Sequence, residues 1–124
     1  MLFDTDVVIE VQKGNDKAAE LINKSEERYL SIYSYMELMQ CAENKQPHRQ
    51  VKNFLKEFAF TTLPITENIA HRASIYVEEY TLSNSIRAGY AIIAATAAQN
   101  NLLLCSGNKN YFSAIKEVQL THFK

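Results

Sequence analysis

Residues 1–10 read MLFDTDVVIE, and the fold follows from how this stretch changes character. Met1 to Phe3 is short and apolar and predicts a buried strand. Asp4-Thr5-Asp6 interrupts it, and Val7 to Val11 then resumes the apolar pattern. A carboxylate ending a buried strand is costly unless it is paired, neutralised or bound to a metal. Helix capping accounts for one of these polar residues, since Asp6 or Thr5 can accept from free amides of the next turn. It leaves Asp4 without an explanation.

Downstream, Gly14-Asn15-Asp16 predicts a turn in which Asn15 or Asp16 caps a helix. Ala18, Leu21 and Ile22 share one face of that helix. Tyr29 to Tyr33, rich in aromatic and β-branched residues, predicts a second strand. Ser34 to Ala42 follows as a helix with Tyr35, Leu38, Met39 and Ala42 on one face. Pro47 suits the first turn of another helix, striped by Val51, Phe54, Leu55 and Phe58. Thr61 to Ile65 predicts a third strand, and Pro64 implies a sheet edge or a strand end. Thr66 caps a helix whose stripe is Ile69, Ala73, Tyr76, Val77 and Tyr80. Arg87 to Gln99 is the most apolar helix, and its alanines permit a close approach to a sheet. Leu102 to Cys105 predicts a buried strand and Ser106-Gly107-Asn108 a turn. Tyr111 to Ile115 predicts a short helix and Val118 to Phe123 a closing strand.

Strands that alternate with helices and are apolar throughout indicate a parallel sheet covered on both faces. The expected fold is α/β, a three-layer α/β/α arrangement around a short, mostly parallel central sheet, in a single domain over 1–124. Such a sheet gathers ligands outside the carboxyl ends of its strands. Asp4, Asp6, Asn108 and the start of the Ser34 helix all fall at those ends.

Composition narrows the function. The chain has 124 residues, 47% hydrophobic and 22% charged, the balance of an ordinary globular domain. No stretch approaches the roughly 18 apolar residues of a membrane span, so no membrane partner is expected. Asp4 and Asp6 stand where a signal peptide would carry positive charge. Cys41 and Cys105 form neither a disulfide framework nor a zinc set, and each reads as a buried small residue. A reducing cytoplasm is the expected compartment. A net charge of −1 excludes a strongly basic nucleic-acid coat and leaves room for a local basic patch. Three scattered glycines build no phosphate-cradling loop, which removes nucleotide-dependent NTPases and dinucleotide oxidoreductases. His48, His71 and His122 form no spaced metal pair, and His71 is expected on the solvent side of its helix.

Only three of the 14 acidic side chains are Asp, two of them at positions 4 and 6. No Asp follows Asp16, so a CheY-like phosphoacceptor is excluded. Ser34 to Glu37 fits a capping box, the leading reading of that pair from the residues alone. Glu37 nevertheless lies one turn into a helix that starts at a strand's carboxyl end, from where it can face the crevice of Asp4. Carboxylates aimed at one point repel each other, and a divalent cation is the usual remedy. Oxygen-only ligands favour Mg²⁺ or Mn²⁺ over zinc.

MLFDTDVVIE is followed in order by YLSIYSYMELMQ (29–40), TTLPITENIAHRA (61–73), AGYAIIAATAAQNNLLLCSGN (88–108) and NYFSAIKEVQL (110–120). Together these stretches resemble PIN-domain proteins, in particular VapC-type toxins of bacterial toxin–antitoxin pairs. The resemblance implies a parallel-sheet fold, an acidic cluster that binds Mg²⁺ or Mn²⁺, and metal-assisted hydrolysis of RNA. It also implies a cognate antitoxin that holds the toxin inactive. Asp4 matches the first ligand acid and Glu37 the second, in the pattern S-x-x-E-L. Asp6 matches the polar position beside the first ligand, and Asn108 the Asn of the strand-end T-R-N segment, here SGN. The implied catalytic set is Asp4, Glu37, Asp6 and Asn108, with Asp4 and Glu37 on the metal. Lys109 and Arg87 are candidate phosphate contacts.

The chain departs from the family pattern at three positions. Tyr90 stands where Asp is expected immediately before AIIAATA, and Tyr111 stands at the last acidic position. Gly107 replaces the basic residue before the Asn. A phenol is neutral at pH 7, so Tyr90 removes a negative charge and a compact oxygen ligand. The cation should then be weakly bound or absent. Drift away from catalysis accounts for Tyr90, and so does a one-base change selected in an expression host against a toxic RNase. The alternative function is a catalytically impaired PIN scaffold that binds the antitoxin. A homodimer is expected, formed through helix faces such as those carrying Val51, Phe54, Phe58, Tyr76 and Tyr80.

Overall fold

Side chains two residues apart in a strand share a face, and that alternation separates the layers. The structure is a computed structural model that describes residues 1–123. β1 (Leu2–Phe3) sends Leu2 into one apolar cluster and Phe3 into another, and β4 (Leu104–Ser106) divides Leu104 and Cys105 in the same way. Completing the sheet are β2 (Arg28–Ser31), β3 (Phe60–Leu63) and β5 (Leu120–His122), in the order β3-β2-β1-β4-β5. All four pairings are parallel, with Leu2 opposite both Tyr29 and Leu104. The fold is the expected three-layer α/β/α arrangement. β3 lies at an edge, as Pro64 implied.

The helices α1 (Thr5–Gln12), α2 (Asp16–Lys24), α3 (Ile32–Cys41) and α4 (Lys45–Glu57) supply Val7, Val8, Ile22, Leu38, Val51 and Leu55 to the Phe3 side. The Leu2 side is filled by α5 (Glu67–Asn84), α6 (Ala88–Gln99) and the short α7 (Lys109–Phe112). Ala91, Ala94, Ala95 and Ala97 are fully buried in α6, so the alanine-rich helix lies tightly against its neighbours. No helix among the described residues is long and apolar enough to cross a membrane.

Several boundaries differ from the sequence reading, each for a local hydrogen-bonding reason. The second strand stops at Ser31, not Tyr33, because the Ser31 hydroxyl accepts from Ser34 N at 3.0 Å and starts α3 there. Ser34 is therefore inside the helix, and the Ser34–Glu37 capping box does not form. α1 follows β1 without a break, and its cap is Asp4 rather than Thr5 or Asp6. The fourth strand begins at Leu104, not Leu102, because Leu102 N closes the end of α6 on Ala97 O at 2.9 Å. α7 starts at Lys109, two residues ahead of Tyr111. Asn15 and Thr66 cap α2 and α5 as expected. Cys105 is buried as expected, whereas Cys41 is exposed at the end of α3, contrary to expectation. His71 is exposed. Val51 and Tyr76, expected on a dimerisation face, point into the core at 5% and 2% exposure.

Candidate active site

From β1 the chain builds β2 and β3 outward on one side, then returns to build β4 and β5 on the other. The crevice between β1 and β4 is thus the topological switch point, where open parallel sheets bind ligands. Asp4 N donates to Cys105 O at 2.9 Å, locking the two strand ends together. The Asp4 side chain is buried, and both its oxygens are used. Oδ1 accepts from Thr5 N at 2.7 Å, and Oδ2 accepts from the Ser106 hydroxyl at 2.7 Å. Asp4 is the helix cap and a candidate site acid at once.

Asp6 lies one step further into α1. Its Oδ2 accepts from Gly107 N at 2.9 Å and from Asn108 Nδ2 at 3.3 Å. Its Oδ1 is buried and has no hydrogen-bond partner among the described residues. Glu37 comes from the second turn of α3, and its Oε1 accepts from the Thr5 hydroxyl at 2.6 Å. Thr5 therefore joins Asp4 through its amide and Glu37 through its hydroxyl. The structure places Asp4, Asp6 and Asn108 together at the strand ends, and Glu37 reaches them through the Thr5 hydroxyl. Sequence reasoning missed the connectors Ser106 and Thr5; their signal was only that each hydroxyl adjoins a site residue at a strand end.

The electrostatics are those of an uncompensated acidic pair. Burial pushes the Asp4 carboxyl up to about 7, reinforced by the charge of Asp6 and opposed by hydrogen bonds from Ser106, Thr5 and Asn108. Asp6 is also raised, chiefly by burial, with the Gly107 amide as the main opposing influence. Among the described residues no Lys or Arg pairs with either carboxylate.

Tyr90 and Tyr111, the two tyrosines at expected acid positions, form one aromatic unit. Their rings stack at 4.4 Å with 12° between planes, and Phe112 meets Tyr90 edge-on at 5.6 Å. Burial raises the Tyr90 phenol, and the charge of Asp4 raises it further. Tyr90 is thus a neutral ring beside the acids. Gly89, one residue earlier, has the Tyr33 ring where a Cβ would stand, so α3 and α6 meet closely here. Arg87 is the exposed N-cap residue of α6 and caps nothing with its side chain, while Lys109 is exposed at the start of α7.

Gly107 has a similar steric role. A Cβ there would lie 2.7 Å from Asp6 Oδ2, so the missing basic residue is what lets Asp6 rest on the backbone amide. Gly107→Ala is expected to displace Asp6 and to cost about 1.5–3 kcal/mol, the range for a hydrogen bond to a charged group. Thermal unfolding checks this, together with loss of the position-107 amide's downfield shift; an unchanged midpoint and amide shift would refute it.

Do these residues fit a metal? The donors are hard oxygens with no thiolate or imidazole among them, and Asp6 Oδ1 is a buried acceptor that lacks a donor. That chemistry suits Mg²⁺ or Mn²⁺. The number of ligands is low: among the described residues no three of His, Cys, Asp and Glu stand close enough together to hold a metal.

Fold and site define an α/β protein with a carboxylate centre at a sheet switch point. A family profile described as PIN domain matches residues 1–118, and the chain belongs to that family. A toxin–antitoxin complex from Klebsiella pneumoniae contains a chain 27% identical, at a TM-score of 0.81 over 94% of this chain and 93% of that one. FitAcB from Neisseria gonorrhoeae is 23% identical, at 0.75 over 98% and 96%. DNA-bound VapBC from Salmonella typhimurium is 17% identical, at 0.79 over 98% and 96%. The latter two share the fold. Comparison with curated proteins gives no significant match.

Proposed function

We propose that this chain is a Mg²⁺- or Mn²⁺-dependent endoribonuclease toxin of a VapBC-type pair that hydrolyses RNA phosphodiester bonds. The observation that carries the reading is the meeting of Asp4, Asp6 and Asn108 at the carboxyl ends of β1 and β4, with Glu37 tied to them through Thr5. Membership of the PIN family supports it, as does likeness to a chain of a toxin–antitoxin complex.

In this reading Asp4 and Glu37 hold the cation, oriented by Ser106 and Thr5. Asp6 tunes the site or joins it through water, and Asn108 holds Asp6 in place. A bound cation supplies a water of lowered pKa and offsets charge that builds on the phosphoryl oxygens. Lys109 and Arg87 steer the RNA phosphates toward the acids. A cognate antitoxin and a second copy of the chain are the partners.

A second reading has a specific observation behind it. The Tyr90–Tyr111 stack replaces two carboxylates with packed neutral rings, as suits a scaffold that binds its antitoxin without cutting RNA. Cleavage of single-stranded RNA under a Mn²⁺ titration separates the two. The ribonuclease reading expects slow, EDTA-sensitive cleavage that Glu37→Gln abolishes. Absence of both cleavage and heat of Mn²⁺ binding in the native chain would overturn it in favour of the binding module.

A further inference from the structure

Beside the acids, a cavity of about 370 Å³ is lined by Gly107, Asn108, Lys109, Asn110, Tyr111 and His122. It is formed where the connection from β4 to α7 meets the carboxyl end of β5, with His122 in register opposite Ser106. Its volume falls in the range of about 300–1,000 Å³ typical of small-ligand sites. The lining offers one aromatic ring, two side-chain amides, one ammonium and one imidazole. Among the described residues it has no carboxylate, in a protein whose net charge is −1.

We propose that this cavity seats one nucleotide of a single-stranded RNA, with its base on Tyr111 and a phosphate at Lys109 and His122; the inference rests on the ribonuclease reading. Unstacked bases are recognised by aromatic platforms and by hydrogen bonds to their edges. Tyr111 is half-buried, and Tyr90 stacks on it, so the platform is held rigid. Asn110 carries a donor and an acceptor on one planar amide, which a base edge can pair with. Asn108 keeps its amide oxygen as an acceptor while its Nδ2 is held by Asp6. Lys109 and His122 are exposed and accept an anion. An acidic peptide would use those two residues and leave the ring and both amides idle, so RNA is the better fit. Asn108 spans the two sites: it lines the cavity, and its side-chain amide donates to Asp6 Oδ2 at 3.3 Å. A base seated there brings the neighbouring phosphodiester to the acids. In this assignment the tyrosine pair is a substrate-positioning element and not merely a loss of acids.

Binding in EDTA tests this without any need for turnover. Each nucleoside 5′-monophosphate is titrated into the ¹⁵N-labelled protein, and a short labelled single-stranded RNA is followed by fluorescence anisotropy. Shifts are expected at the amides of residues 107–111 and 122. Tyr111→Leu should weaken RNA binding about tenfold, the order of one lost base–aromatic stack, and Tyr111→Phe should retain it. Lys109→Ala and His122→Ala change exposed residues and should also weaken binding, more at low salt than at high salt. Shifts confined to another face would overturn the inference. So would RNA affinity indifferent to positions 109, 111 and 122, or shifts in this cavity with an acidic peptide and none with nucleotides. Cleavage with no dependence on Tyr111 would sink the subsite and leave the ribonuclease reading intact. Conversely, nucleotide binding here by a chain that does not cut RNA would leave the subsite standing and sink the reaction.

Discussion

Tyr90→Asp is expected to raise Mn²⁺ affinity by about 10- to 100-fold, the scale on which single changes around a metal alter its affinity. RNA cleavage should rise by at least as much. In the native chain a buried and a half-buried carboxylate already repel each other, with burial and the Asp6 charge together holding the Asp4 carboxyl at about 7. A third acid at position 90 makes that repulsion worse without a cation and turns it into a ligand set with one. The apo variant should therefore be less stable than the native chain, and it also loses the Tyr90–Tyr111 stack, worth about 0.5–1.5 kcal/mol for such pairs. Saturating Mn²⁺ should more than recover the loss, because a ligand at 100 times its Kd stabilises by about 2.7 kcal/mol. Tyr90→Asn separates charge from bulk: it opens the same space and should gain neither affinity nor rate. Calorimetry, thermal unfolding with and without Mn²⁺, and cleavage of single-stranded RNA give the three readouts. Unchanged binding and cleavage in Tyr90→Asp would refute the account of position 90.

The stack also bears on why Tyr90 is there. A ring introduced by one recent base change would have to fit among neighbours selected for a small carboxylate. Here it meets a second tyrosine, at another position where the family pattern has an acid, with the planes 12° apart. The two rings pack as one unit, and Phe112 meets Tyr90 edge-on.

The layers and the sheet were legible because both are carried by periodic apolar residues. Leu2 and Phe3, then Leu104 and Cys105, need only a pleat to reach opposite clusters. The convergence of Asp4 with Asn108 was legible for a related reason: in a parallel sheet every residue that ends a strand lies at one rim. Helix starts were not. At Asp4 and Ser31 the capping oxygen belongs to the last strand residue or its immediate successor, so strand and helix abut and no turn signal separates them. Ser34 with Glu37 looked like a cap because the spacing matched; Ser31, three residues earlier, had an equally competent hydroxyl and won. Tertiary pairs were beyond reach too. Nothing in SGN says that Gly107 is small because Asp6 leans on it, and nothing at positions 90 and 111 says that the two rings touch.

Stability should fall as pH rises from about 4 to about 7, and Asp4→Asn should abolish much of that fall. The sign follows from the direction in which Asp4 is displaced. Its carboxyl is raised from 3.8 to about 7, so in this window the folded protein holds a proton that the unfolded chain has released. Stability then decreases with pH, fully present below the unfolded value and lost as pH passes the folded one. Asp6, raised in the same direction, adds to the effect. A tenfold change in proton affinity is worth about 1.4 kcal/mol, so the cost at neutral pH is on the order of a few kcal/mol. Asn at position 4 can still accept from Thr5 N, carries no charge, and resembles the protonated acid in size. The two proteins should thus unfold at similar temperatures near pH 4. At pH 7.5 the variant should unfold on the order of 10 °C higher, given the roughly 3–6 °C that each kcal/mol is worth in a domain of this size. Exposed carboxylates such as Glu20, held below its usual range by Lys24, contribute the opposite slope equally to both, so the difference between the two curves is the readout. Parallel curves from pH 4 to 7.5 would show that the Asp4 charge costs the fold nothing. A cation provides the complementary test, since Mn²⁺ at neutral pH should stabilise the native chain by relieving this repulsion and leave Asp4→Asn unaffected. The same buried charge that weakens the empty fold is what would draw a divalent cation into it.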